Sequence, residues 1–123
     1  MANTFKVVTF SAEPASAGSP YTMYETPSSR TTVVIGLILT NIHTSQVTVE
    51  VELSSNTGSR GGPTSSLVSN SNSFLAKNVP LAVGQSIEIL TGGKVILEAT
   101  DAILIDCSVT DKVSGTLSIM EIS

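Results

Sequence analysis

Few side chains in this sequence of 123 residues have the chemistry of an acid–base or nucleophilic catalyst. His43 is the single histidine, and it follows the most apolar segment of the chain within a stretch of turn-forming residues. A lone imidazole can serve as a general base or as a pH-sensitive contact, but neither a second histidine nor an activated nucleophile accompanies it. We therefore interpret His43 as a solvated turn residue.

The single cysteine, Cys107, alternates with Ile103, Ile105 and Val109 at every second position. A catalytic thiolate needs a nearby positive charge or a helix N-terminus, and the pattern around Cys107 supplies neither. In an apolar face of this kind a free cysteine behaves as a small hydrophobic side chain. One cysteine also excludes an intrachain disulfide or a thiolate zinc cluster, so we predict a core role for Cys107.

Four acidic residues, Glu98, Asp101, Asp106 and Asp111, lie close together in the sequence. Glycosidases place two carboxylates across a cleft, and calcium loops need oxygen ligands at dense, regular spacing. These residues are too far apart for a calcium loop, and the first two frame Ala99-Thr100 as turn residues do. We interpret them as solvated turn and strand positions, and predict no catalytic residue, no metal and no cofactor.

Two segments contain candidates for contact with a partner. The segment 59–63 (SRGGP) lacks the Lys-Ser/Thr pair of a phosphate-binding loop, and no helical segment follows it. It lies in a polar stretch, about residues 54–73, that we predict to be a mobile loop, and Arg60 is its contact candidate. Tyr21 and Tyr24 form either a small contact patch or packing partners of an N-terminal arm, about residues 1–20.

The elements that would position these residues are strands. Ser and Thr account for 34 residues and Val and Ile for 23, and β-branched side chains favour pleated sheets over helices. The net charge is −4 without a basic run, which argues against nucleic acid as a partner. The longest apolar run, residues 33–39, is far shorter than the roughly 20 residues of a membrane helix. The N-terminus also lacks the pattern of a secretory signal.

The segment Thr31–Ile42 is apolar at both odd and even positions. In a strand, Val33, Ile35, Leu37 and Leu39 would share one face, and the opposite face would carry the contact candidates Val34, Ile38 and Ile42. A strand that is apolar on both faces is buried on both. The second face is covered either by the N-terminal arm or by another subunit, and we predict a closed homo-oligomer, a dimer or trimer.

The short strand runs separated by turn residues predict a single all-β domain, with roughly eight strands in a two-sheet β-sandwich of jelly-roll or immunoglobulin-like type. Residues 46–54 alternate in polarity, and we expect them to pair with the strand at 31–42. Gly92-Gly93 predicts a two-residue hairpin between residues 86–91 and 94–98. Tyr21–Glu25 is predicted as a short edge strand.

Four runs of the sequence resemble small β-rich virion structural proteins of tailed phages, with those of marine and cyanobacterial phages as the nearest examples. The resemblance covers about Thr31 to Ile122. It rests on TTVVIGLILTNIHTSQVTVEVEL, FLAKNVPLAVGQSIEIL, GGKVILEATDAILIDCSV and SGTLSIMEI. It implies a particle component without enzymatic activity, assembled in the host cytoplasm and located in the virion.

The leading hypothesis is therefore a non-enzymatic capsid decoration or cement protein that binds copies of itself and other virion proteins, such as the major capsid protein. Such proteins act through buried area and many copies, so that weak contacts multiply by avidity. A neck, collar or tail accessory protein is one alternative. A host-receptor or carbohydrate-binding adhesin module is another, although the absence of tryptophan disfavours it. Neither nucleic acid nor membrane is expected as a partner.

Overall fold

The computed structural model describes residues 2–55 and 70–123, and this part of the chain contains nine strands and no helix. The strands are β1 (Asn3–Glu13), β2 (Tyr21–Glu25), β3 (Thr31–Asn41), β4 (Val47–Ser54), β5 (Ser73–Leu81), β6 (Ser86–Glu88), β7 (Val95–Leu97), β8 (Ala102–Cys107) and β9 (Val113–Ile122). They form two antiparallel sheets, in the orders β1-β9-β3-β6 and β2-β8-β4-β5, and β7 also pairs with β3. This confirms the predicted two-sheet β-sandwich. No helix in the same residues is long and apolar enough to cross a membrane.

The strand order is that of a jelly roll in which one of the eight strand positions is divided between β6 and β7. β6 pairs with residues 38–40 of β3 and β7 with residues 32–34, so the two short strands lie end to end along one strand. The predicted hairpin at Gly92-Gly93 is therefore wrong. A turn closed by the Gly93 N–H on the Leu90 carbonyl (3.3 Å) connects the two strands, because β3 is long enough to pair with both.

The expected pairing of β3 with β4 is also wrong, because the two strands belong to different sheets. Asn41, at the end of β3, is buried, and its side-chain amide donates to the carbonyl oxygens of Leu81 and Ala82 at 3.0 and 3.1 Å and of Ser45 at 3.0 Å. Its carbonyl oxygen accepts the N–H of His43 at 2.7 Å. These hydrogen bonds hold the connection after β3 as a crossover between the sheets.

The core lies between the two sheets and is filled by alternate side chains of each strand. Val47, Val49 and Val51 of β4 are buried, and so are Ile103, Ile105 and Cys107 of β8, as the two-residue period predicts. Val109 follows the end of β8 and is half-buried. Tyr21–Glu25 is β2, an edge strand of the four-stranded sheet, as predicted.

A β-bulge in β3 corrects the faces assigned from the sequence. The register of β3 against β9 shifts between Val34 and Gly36, and one extra residue moves all later side chains to the other face. Val34 is fully buried in the core together with Leu37 and Leu39. Val34 therefore does not share a face with Ile38, which is 44% exposed.

Ile35 is also corrected by this bulge, because it is 38% exposed instead of lying in the core. The carboxylate of Glu88, opposite Ile38 on β6, accepts the N–H of Leu37 at 3.2 Å. This bond satisfies a backbone donor at the point where the ladder is irregular.

The expected N-terminal arm, about residues 1–20, is largely a strand of the sandwich. β1 pairs with β9 from Asn3 opposite Ile122 to Phe10 opposite Gly115, and the register becomes irregular between Phe10 and Glu13. β1 is thus an edge strand of the five-stranded sheet.

Replacing Gly115 with alanine is expected to destabilise the fold by about 3 kcal/mol, because overpacking a filled core displaces its neighbours. A Cβ atom at Gly115 would lie 2.5 Å from the ring of Phe10 and 3.1 Å from Leu39. Phe10 has little freedom to move, since its ring packs edge-to-face on Tyr21 at a centroid distance of 5.2 Å. Urea denaturation measures the difference.

Gly36→Ala is the matched control for this prediction. Its new Cβ would meet Glu88 Oε1 at 2.9 Å, which is the end of a side chain that can rotate away. We expect a loss of about 1 kcal/mol or less. Equal losses for the two variants would contradict the packing assigned to Phe10.

Candidate functional site

Histidine, cysteine and acidic side chains do not form a metal-binding cluster in the part of the chain that the structure describes. No group of three or more of them within these residues could hold a metal ion. His43 is half-buried after the end of β3, where its backbone N–H is bound by Asn41. Its position in a turn agrees with the sequence interpretation.

The acidic residues fasten loops to the sandwich. Asp101 is buried, its Oδ2 accepts the N–H of Glu98 at 3.1 Å, and its own N–H donates to the Glu98 carbonyl at 3.0 Å. These two residues therefore frame a turn, as predicted, but Asp101 is buried and not solvated. Asp106 Oδ1 accepts the N–H of Gly18 at 3.1 Å, and the Asp111 N–H donates to the Pro14 carbonyl at 2.9 Å. Both bonds attach the segment after β1 to the end of the sandwich near β8.

Cys107 is 3% exposed and borders a cleft of about 320 Å3 on the outer side of the four-stranded sheet. Burial raises the pKa of its thiol above the ordinary value, and the nearby Asp106 carboxylate acts in the same direction. Both effects oppose formation of the thiolate, which is the reactive form of cysteine.

We expect Cys107 to react with a thiol reagent about a hundredfold more slowly in the native protein than in urea, because reaction requires opening of the sheet. Absorbance of the released thiolate follows the reaction. Native labelling as fast as that of the unfolded chain would show that Cys107 does not face the core.

A buried polar network joins the two sheets at one end of the sandwich. Glu121 of β9 is 2% exposed, and its Oε2 accepts the hydroxyl proton of Tyr24 from β2 at 2.6 Å. Its Oε1 lies 2.9 Å from Lys6 Nζ and 3.2 Å from Arg30 Nη1. Tyr24 is also 2.8 Å from the hydroxyl of buried Thr32. Because Tyr24 donates its proton to the carboxylate, Thr32 donates to Tyr24.

The surroundings of Glu121 keep its carboxylate ionised. The hydrogen bond from Tyr24 lowers the pKa of Glu121 most, the Lys6 ammonium lowers it further, and burial acts in the opposite direction. Burial and the same carboxylate raise the pKa of Tyr24. This network was not predicted from the sequence. Its signal was present, since Glu121 continues the alternation of Leu117 and Ile119 on the core face.

The contact candidates Tyr21 and Tyr24 have partners inside the fold. The ring of Tyr21 packs on Phe10, and the hydroxyl of Tyr24 belongs to the Glu121 network. Both are half-buried, and a role in contact with another protein stays a prediction for them. Arg60 and most of the predicted loop at about 54–73 lie outside the described residues.

Apolar side chains are exposed on the solvent side of the five-stranded sheet. One row crosses the sheet in register, from Phe5 to Met120, Val33 and Ile96. The exposed fractions reach 73% for Phe5 and 56% for Ile96, while Met120 and Val33 between them are half-buried. Apolar patches on protein surfaces are often functional contact sites. We call this surface the apolar outer face; it comprises Phe5, Val7, Val33, Ile35, Ile38, Ile96 and Met120.

Two contact candidates remain accessible. Ile38 lies on the apolar outer face, and Ile42 follows the end of β3 and is 45% exposed. Val34 is excluded from such contacts in the folded chain by its burial. The sequence alone did not identify Phe5, Val7 or Ile96, because their exposure depends on which face of each strand meets the core.

Comparisons with protein-family models and with the sequences of curated proteins find no match. Similar solved structures include a protein of Bacillus endospore appendages, which form disulfide-linked pili, with a TM-score of 0.48 and 11% identity over 99% of this chain and 87% of that chain. A chain of the T13 viral particle of IBDV has a TM-score of 0.54 and 11% identity over 97% of this chain and 30% of its own. A chain of the infectious bursal disease virus Gx strain has a TM-score of 0.46 and 12% identity over 95% and 33%.

This chain spans about a third of the length of the two viral chains that it matches. At 11% identity, the likeness to the T13 particle chain shows a shared β-rich fold.

Proposed function

We propose that this chain is a non-enzymatic structural component of a virus particle, present in many copies as a capsid decoration or cement protein. The observation that carries the proposal is the apolar outer face, which lies uncovered on a rigid jelly-roll scaffold beside an edge strand. The largest apolar patch on the surface of a soluble protein is often a functional contact site. The fold shared with a viral particle protein supports the same proposal.

The physical requirements of such a role are modest. A decoration protein needs a rigid body and contacts that are weak individually but repeated over a symmetric particle, where multivalency raises the effective affinity. The apolar outer face supplies a contact surface of this kind, and Ile38 within it is a proposed contact with another virion protein, such as the major capsid protein. Ile42 is proposed to contact the same partner from the adjoining loop.

Copy number per particle tests this proposal. Particles purified from a lysate in which the chain is made are digested, and the chain is quantified against the major capsid protein by mass spectrometry. Hundreds of copies support capsid decoration, whereas about five to twelve copies would indicate the ring symmetry of a neck, collar or tail protein. Absence from purified particles would overturn the proposal.

A carbohydrate-binding adhesin is the second candidate, because a polar cleft of about 420 Å3 lies between the ends of the strands. Its lining includes hydroxyl, amide and carboxyl side chains, among them Ser55, Asn70 and Glu98. Clefts of this size hold small ligands, and jelly rolls include lectin domains. Glycan binding by the purified chain, together with its absence from particles, would favour this candidate.

A further inference from the structure

The hydrogen-bond phase between β1 and β9 determines which backbone groups of β1 point away from the sheet. Ala2 lies opposite Ser123, one step beyond Asn3 opposite Ile122, and the Ser123 N–H donates to the Ala2 carbonyl at 3.1 Å. A directly opposed pair that is bonded in this way is a hydrogen-bonded pair, and such pairs recur at every second residue. Even-numbered residues of β1 therefore point their N–H and C=O groups at β9, and odd-numbered residues point theirs at the free edge.

This edge is unusually open for β-sheet pairing. Within residues 2–55 and 70–123, β9 is the only strand partner of β1. The residues whose N–H and C=O groups point at the free edge include Phe5 and Val7, and their side chains are 73% and 64% exposed. Natural edge strands are usually protected by charges, prolines or bulges. Lys6 is the only charged residue between positions 3 and 12, and its ammonium is held by buried Glu121 at 2.9 Å.

We propose that the free edge of β1 pairs with β1 of a second copy of this chain, antiparallel, about a two-fold axis at Val7. The inference rests on the proposed function for its biological role, because it identifies a self-contact by which copies would associate. Val7 then lies opposite Val7 of the second copy, and Phe5 lies opposite Thr9 of the second copy. The two five-stranded sheets become one continuous sheet, and the two apolar outer faces adjoin.

The register follows from the sequence of the strand. An axis at Lys6 would place two lysines directly opposite each other, which is unfavourable. An axis at Phe5 would pair only residues 3–7, and an axis at Thr9 would extend into the irregular register that begins after Phe10. An axis at Val7 pairs residues 4–10, all within the regular register, along an edge about 24 Å long at the rise of an antiparallel strand.

The expected dimer is weak. Pairing of two strand edges with few flanking side chains falls in the class of interfaces below about 1,200 Å2, which are transient in isolation. Micromolar affinity suits a contact that is repeated many times on a particle, because avidity then supplies the stability.

Sedimentation velocity of the purified chain from low to high micromolar concentration tests the inference, with a concentration-dependent dimer as the expected result. Val7→Lys and Val7→Glu each put like charges opposite one another and are expected to weaken the dimer about tenfold or more. An equimolar mixture of the two variants is expected to restore it as a heterodimer. Ile96→Lys, the matched control, changes an exposed side chain of the same face on the opposite edge and is expected to leave the dimer intact.

Hydrogen exchange of the wild-type chain gives a readout that does not depend on a variant. The amides of Phe5, Val7 and Thr9 are expected to gain protection as concentration rises, because they donate across the new edge. A chain that stays monomeric at high micromolar concentration, a dimer that only Ile96→Lys dissociates, or a mixture that fails to re-form it would each overturn the inference. None of these outcomes alters the copy number per particle, which tests the proposed function separately.

Discussion

Replacing Val51 with aspartate is expected to leave the chain unfolded at neutral pH. Val51 is fully buried in the middle of β4, between β5 and β8. A carboxylate at this position would lose its hydration without gaining a partner, at a cost of about 5 kcal/mol or more, which equals the whole stability of many domains. Circular dichroism and the dispersion of amide resonances measure the loss of the fold.

Ile42→Asp is the matched control, because it makes a similar change at a side chain that is 45% exposed. We expect this variant to fold with a loss below about 1 kcal/mol. A folded Val51→Asp variant, or an Ile42→Asp variant that fails to fold, would contradict the assignment of inward and outward faces.

Replacing Glu121 with alanine is expected to lower the free energy of unfolding by about 3 kcal/mol at neutral pH, because the Tyr24 hydroxyl loses its charged acceptor inside the fold. Lys6 and Arg30 are nearly half-exposed, so that water can solvate them after the change. Chemical denaturation with matched slopes measures the loss.

Ionisation of Glu121 also makes the stability of the fold depend on pH. Because folding lowers the pKa of Glu121 below its ordinary value of 4.5, the folded state binds this proton less tightly than the unfolded state. The contribution of Glu121 to stability is therefore complete above that ordinary value and is lost as the pH falls through the folded pKa. The Glu121→Ala variant should lose stability less steeply than the wild type in this range.

Glu50→Gln is the control for this pH dependence. Glu50 forms a salt bridge with Lys77 at 3.1 Å, but both side chains reach solvent. Exposed ion pairs contribute little, so we expect a loss below about 1 kcal/mol and an acid profile close to that of the wild type. An acid profile of Glu121→Ala that is identical to the wild type would contradict the ionised, buried state of Glu121.

Strand faces were predictable from the sequence where alternation is regular. Val47, Val49 and Val51 repeat without interruption, and Ile103 and Ile105 do the same, because a two-residue period in polarity directly reflects which side of a sheet meets water. Both sets are buried. The all-β class and the edge strand at Tyr21–Glu25 followed from the same kind of signal.

The face of Val34 was not predictable, because both faces of β3 carry apolar residues and polarity gives no register there. The bulge between Val34 and Gly36 depends on the partner strand and on the Glu88 carboxylate that accepts the Leu37 N–H. The pairing of strands was also not predictable from the sequence. Gly92-Gly93 forms a turn as expected, but the flanking residues pair with β3, whose partner residues are 46 to 65 positions away in the sequence.

The candidate interaction surface was predictable only in part. A second apolar face was expected on β3, covered by the N-terminal arm or by another subunit, and Ile38 of that predicted face lies on the apolar outer face. The contributions of Phe5 and Ile96 required the order of strands in the sheet, and the open edge of β1 required the hydrogen-bond phase set at Ala2 and Ser123. The resemblance to virion proteins of tailed phages stays a prediction, and the likeness to the T13 particle chain shows a shared β-rich fold.

Cryo-electron microscopy of the purified particles tests the central claim most directly. We expect density for this jelly roll at symmetry-related positions on the particle, with the apolar outer face covered by a neighbouring protein. If particles purified from a lysate in which the chain is abundant show no such density, the proposed role as a capsid decoration protein is contradicted.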